Sequence, residues 1–93
     1  MTTWTDYDPA WLVDLANEQH FDKPWLAPAL GRCTKAVAES PAYVYFVCAE
    51  NANEPGARWQ FRENILLLAP KGEVVLDVLE DGSIGGAEFL WLI

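Results

Sequence analysis

Ninety-three residues carry a net charge of −8, with 52% hydrophobic and 13% aromatic residues. That length makes one domain, 1–93, with a modest core, and that apolar content excludes compositional disorder. The charge argues against direct binding to nucleic acid or to an anionic membrane, since both need Lys and Arg at phosphate, and it permits a basic protein partner.

Asp8-Pro9 opens a helix: the Asp accepts first-turn amides and Pro suits the first helical position. Trp11, Leu12, Leu15 and Ala16 then recur at helical spacing against Asp14, Asn17 and Glu18, so a helix is expected over about residues 9–20. Trp25, Leu26 and Pro28 lead into a second helix, with Leu26, Leu30, Cys33 and Val37 as its apolar stripe. Arg32, Lys35 and Glu39 face out. Ser40-Pro41 ends it, because the residue before a proline disfavours the helical region.

The period then changes. Ala42 to Ala49 is β-branched and aromatic and apolar on both faces, which suits a central strand. Glu50 to Ala57 reads as a loop. Arg58 to Gly82 reads as two long strands around a turn at Ala69-Pro70-Lys71-Gly72. The first puts Trp59, Phe61, Ile65 and Leu67 on one side, with Glu63 out of phase, which calls for a bulge there. The second sends Val74, Leu76 and Val78 inward and Glu73, Val75, Asp77 and Leu79 outward. Asp81-Gly82 starts a turn that Ser83 to Ala87 continues, and Glu88 to Ile93 is the last strand. The expected fold class is α+β: two N-terminal helices on one face of a four-stranded, mainly antiparallel sheet, in the order ααββββ.

No catalytic or cofactor motif stands out. Cys33 or Cys48 with His20, the only histidine, is the one conceivable nucleophile pair. No signature surrounds them, and both cysteines read as reduced, buried small hydrophobes rather than a bridge or a redox pair. Asp77 with Glu80 or Asp81 lacks the alternate-position spacing of a calcium loop and reads as a turn, and one His with two distant Cys does not make a zinc site. Gly82-Ser83-Ile84-Gly85-Gly86 lacks the Lys-Ser/Thr of a phosphate loop, and the acids beside it would repel phosphate. No metal or cofactor is therefore expected, and no enzyme.

The longest apolar run, Ala42 to Ala49, is too short to span a bilayer, and no basic residue precedes an apolar core at the N-terminus, so the expected location is the cytoplasm. Phe89 to Ile93 ends the chain in five apolar residues. They read as a buried strand; the alternative is an edge that adds to another chain, as in a homodimer.

Acid is concentrated at the chain's two ends: residues 1–22 and residues 72–93 each hold five acids and no base. In size, charge and α+β character the whole chain resembles the small acidic bacterial immunity proteins that neutralise a cognate toxin. That resemblance implies inhibition by tight binding to a basic, nuclease-type toxin. Charge density selects Asp77, Glu80, Asp81 and Glu88 as contacts, with Asp14 and Glu18 on the first helix as second choice. The alternatives are a phage-encoded mimic of nucleic acid, an adaptor subunit, and, further off, a small ligand-binding domain or enzyme.

Overall fold

A computed structural model describes residues 4–47 and 60–93 of the chain. Cys48, the expected loop from Glu50 to Ala57, and Arg58 and Trp59 lie outside the described residues. The described elements are β1 (Thr5–Asp6), α1 (Ala10–Gln19), α2 (Leu26–Gly31), β2 (Lys35–Ser40), β3 (Tyr43–Tyr45), β4 (Phe61–Ala69), β5 (Gly72–Leu79) and β6 (Ile84–Phe89), closed by a 3-10 turn over Leu90–Leu92.

Among the described residues the sheet has six strands, not four, in the order β1-β2-β3-β6-β5-β4, with every neighbouring pair antiparallel. Leu12 and Ala16 of α1 and Leu26, Ala29 and Leu30 of α2 share one core with Ile65, Leu67, Val74, Leu76, Val78, Ile84, Ala87 and Phe89. One sheet face is thus buried under two helices, and the other carries no element among the described residues. No helix among these residues is long and apolar enough to cross a membrane.

Helix α1 starts one residue later than expected: Pro9 holds the N-cap position, and Asp8 Oδ1, one residue before it, accepts the Ala10 N–H at 3.0 Å. The β4–β5 hairpin follows its alternation from Asn64 to Val78, but at its open end Phe61, expected on the apolar side, is exposed, and Leu79, expected on the outer side, is buried. Ala69 pairs with Gly72 across Pro70-Lys71, and the register slips between Phe61 and Glu63, where the phase of the sequence breaks.

Two further expectations fail. The second helix stops at Gly31, and the rest of its supposed stripe becomes β2. Cys33 and Val37 sit at helical spacing from Leu26 and Leu30, but Val37 pairs with Tyr45 and Ala38 with Val44 through the short Pro41-Ala42 connection. Hairpin pairing with the strand that follows outweighs helical periodicity here. At the C-terminus the turn is shorter than expected. Gly85 and Gly86 lie inside a strand, β6, which runs between β3 and β5 and leaves Leu90–Leu92 as a 3-10 turn. Both edges of β6 are hydrogen-bonded, so a chain adding to this strand finds no free edge.

Two glycines fit β6 because other side chains fill their space. A Cβ on Gly85 would stand 3.0 Å from Leu79 Cδ2, and one on Gly86 would stand 2.7 Å from both Tyr43 Oη and the Val44 carbonyl oxygen.

Candidate functional site

The helix-free sheet face is the most distinctive surface. Its composition follows from strand parity: residues between the buried ones on each strand point the other way. Those residues are Leu66 and Leu68 on β4, Glu73, Val75 and Asp77 on β5, Glu88 on β6, and Tyr43 and Tyr45 on β3.

A polar ladder crosses this face. Asn64 Nδ2 donates to Asp77 Oδ1 at 2.7 Å, and the Tyr43 hydroxyl donates to Asp77 Oδ2. The Tyr43 and Tyr45 rings meet edge to face with centroids 4.7 Å apart, and the Tyr45 hydroxyl bonds the carboxylate of Glu39 on β2. The ladder therefore runs from β4 to β2. It passes over β6 at Gly86, whose missing side chain leaves room for the Tyr43 phenol to reach Asp77.

The face is acidic. Glu73 and Glu88 flank Val75, since Glu88 pairs with Val75 and Glu73 lies two residues along the same strand. Asp77 and Glu39 add two more carboxylates. Three bases contact acids outside this face: Lys23 pairs with Asp22, Lys35 with Asp6, and Arg62 with Glu63, where it also stacks over Trp25 at 5.0 Å. Exposed apolar area accompanies the charge, with Leu66 44% and Leu68 57% exposed.

The predicted contact residues divide into three places. Asp77 and Glu88 share the open face. Glu80 and Asp81 lie in the β5–β6 turn at its end, where Asp81 Oδ1 accepts the Ser83 N–H at 2.9 Å. Asp14 and Glu18 are exposed on α1, turned from Leu12 and Ala16, so they sit on the other side of the molecule. The structure does not bring the two acidic ends of the chain into one patch.

Tyr43, Tyr45, Glu39 and Glu73 escaped the sequence reading. Glu73 was legible, since it shares parity with Asp77. The tyrosines and Glu39 needed the pairing of β2, β3 and β6, which no local pattern gives.

All three tyrosines of the chain are held above the ordinary value near 10. Burial is the first cause for Tyr7 and Tyr43, with Asp77 adding to it for Tyr43; for Tyr45 the bond to Glu39 leads. At neutral pH these phenols stay protonated and do not act as bases: Tyr43 donates to Asp77, while the Tyr7 hydroxyl accepts from Trp11 Nε1 at 3.3 Å. Burial likewise pushes the Cys33 thiol up to about 12, so it is not a nucleophilic thiolate, and it donates instead to the Ala29 carbonyl. His20 binds the Leu66 carbonyl oxygen. No group of three or more His, Cys, Asp or Glu among the described residues is placed to hold a metal.

A raised tyrosine stabilises the fold fully below the unfolded value near 10, and that contribution erodes as pH climbs past it. Absorbance titration of tyrosinate should therefore show ionisation only above pH 10, together with loss of structure. Tyr43→Phe should flatten the fall of stability with pH; an unchanged slope would mean that Tyr43 is not held this way.

No protein-family model matches this chain, and neither does any curated protein or solved structure. The open face therefore has to be read from its own chemistry.

Two grooves lined by described residues lie elsewhere. One of about 340 Å³ is lined by Trp11, Ala69, Pro70, Lys71 and Trp91. The other, about 540 Å³, opens between α1 and α2 beside Val13, Asn17, His20 and Phe21. Neither gathers a set of convergent polar groups comparable to the tyrosine–carboxylate ladder.

Proposed function

We propose that this chain is a protein-binding inhibitor of the immunity-protein kind, which engages a basic toxin through the open face of its sheet. The observation that carries the reading is the combination on that face: two central tyrosines, exposed leucines, and carboxylates that form no ion pair with a base among the described residues. Tyr is enriched among residues that dominate binding energy, and apolar area with a charged rim is the usual anatomy of an interface. Carboxylates steer a cationic partner and fix its register. In a nuclease-type partner they would take the positions of substrate phosphates. The partner contacts in this reading are Asp77 and Glu88, from the sequence, together with Glu73, Glu39, Tyr43 and Tyr45.

The ladder gives the face a fixed shape before binding. Asp77 has both oxygens bonded and Tyr43 is half-buried, so little ordering entropy is left to lose on association.

The test is capture of partners from the native host on immobilised protein at low and at high salt. A stoichiometric basic protein, retained at low salt and bound more weakly as salt screens the charges, is expected. A captured partner that is itself acidic, or one whose affinity ignores salt, would contradict the reading.

A further inference from the structure

β4 is the outer strand of the sheet among the described residues, and such an edge offers unpaired backbone groups to any passing strand. In an antiparallel ladder, alternate residues turn both their N–H and C=O away from the neighbouring strand. On β4, Leu68 does so, and both of its groups are taken by one side chain. Its N–H donates to Gln19 Oε1 at 2.7 Å, and its C=O accepts from Gln19 Nε2 at 2.7 Å. One residue further on, His20 Nε2 lies 2.7 Å from the Leu66 C=O, which fixes a proton on that nitrogen.

The Gln19 amide thus imitates one paired residue of a seventh strand. It is held there by the helix: Leu12 and Ala16 anchor α1 in the core, and the His20 N–H still bonds the Ala16 C=O at 2.8 Å.

What the edge would otherwise do is legible in the strand. Asn64 to Pro70 carries no charge, and Leu66 and Leu68 are exposed. An uncharged, extended, apolar edge is a template for strand addition. The segment is also self-complementary. Antiparallel pairing about a two-fold axis at Leu67 sets Leu66 of one copy opposite Leu68 of the other, so that outward-facing groups meet each other. Elsewhere a chain of net charge −8 repels its copy, but this stretch does not.

We propose that the last turn of α1 is an edge guard, in which Gln19 and His20 occupy the β4 positions where a second copy of this chain would otherwise pair. The inference is independent of the toxin-binding reading, because it is read on the purified protein alone.

The test uses the full chain. Wild type should remain monomeric by sedimentation up to millimolar concentration. Gln19→Ala/His20→Ala should form a concentration-dependent dimer, and in its dilute monomer the Leu68 amide should exchange at least about tenfold faster. Adding Leu68→Pro, which removes the outward-facing N–H, should return the guardless protein to monomer. Gln19→Glu serves if the double variant does not fold: it keeps the acceptor for the Leu68 N–H and loses the donor to the C=O. It should protect the Leu68 amide yet dimerise weakly. A folded guardless variant that stays monomeric, a dimer that survives Leu68→Pro, or a Gln19→Glu variant with wild-type monomer behaviour would overturn the proposal.

Discussion

Gly86→Ala should lower the unfolding free energy by about 3 kcal/mol, although it adds one methyl group to a strand. The added Cβ would stand 2.7 Å from Tyr43 Oη and 2.7 Å from the Val44 carbonyl oxygen. A phenol could swing aside, but the Val44 carbonyl belongs to the β3 backbone that pairs with β6. Relief therefore requires the ladder to open as well, and Tyr43 then abandons Asp77. Overpacking costs about 1–3 kcal/mol, and a hydrogen bond to a charged group is worth about 1.5–3 kcal/mol. For a domain of this size the melting temperature should fall by roughly 12–24 °C. In a Tyr43→Phe background the same substitution should cost about 1 kcal/mol less, because the 2.7 Å approach to the hydroxyl is gone and only the ring carbon at 3.0 Å remains on that side. Thermal unfolding of the four proteins of this cycle gives the answer. A cost below about 0.5 kcal/mol for Gly86→Ala would mean that Tyr43 does not cross β6.

The second large effect concerns binding. Glu73→Lys with Glu88→Lys should weaken the captured partner by about 4 kcal/mol, roughly a thousandfold in Kd. Each reversal turns an attraction to a basic partner into a repulsion across a surface that loses its water on association. The pair is chosen for what it leaves intact. Among the described residues neither carboxylate is paired with a base, and both lie beside Val75 at the centre of the open face. Asp77 and Asp81 are poorer choices. Reversing Asp77 would strand Tyr43 and Asn64, and reversing Asp81 would undo the turn cap on Ser83, so lost binding there would confuse affinity with fold. Circular dichroism of the Glu73/Glu88 variant should match wild type.

The hairpin explains how much of this was legible. On β5, Val74, Leu76 and Val78 alternate with Glu73, Val75 and Asp77, and period 2 with one apolar side specifies a half-buried strand and its face. Glu63 falling out of phase marked the register slip. The stretch from Leu26 to Val37 misled because its four apolar residues fit a helix as well as they fit anything local. Glu39, read as the polar side of that helix, belongs to a strand facing Tyr45. Gly85 and Gly86 look like a turn in sequence, since the Leu79 and Tyr43 side chains that justify them come from elsewhere in the chain. The same limit hid the site. Asp77 and Glu88 were found by charge, but their grouping with Tyr43 and Tyr45 depends on β6 lying between β3 and β5. Asp14 and Glu18 were joined to them by charge count, and the packing of α1 under the sheet separates them.

That separation supplies the sharpest contrast. The central claim is that the open sheet face, and not the acidic side of α1, holds the partner. Isothermal calorimetry of the captured partner against two charge-reversed proteins tests it: Glu73→Lys/Glu88→Lys on the sheet and Asp14→Lys/Glu18→Lys on the helix. Both change the net charge equally, so long-range attraction falls alike in the two. The sheet variant should lose about a thousandfold in affinity while the helix variant loses no more than about tenfold. Equal losses, or a helix variant that binds worse than the sheet variant, would contradict it.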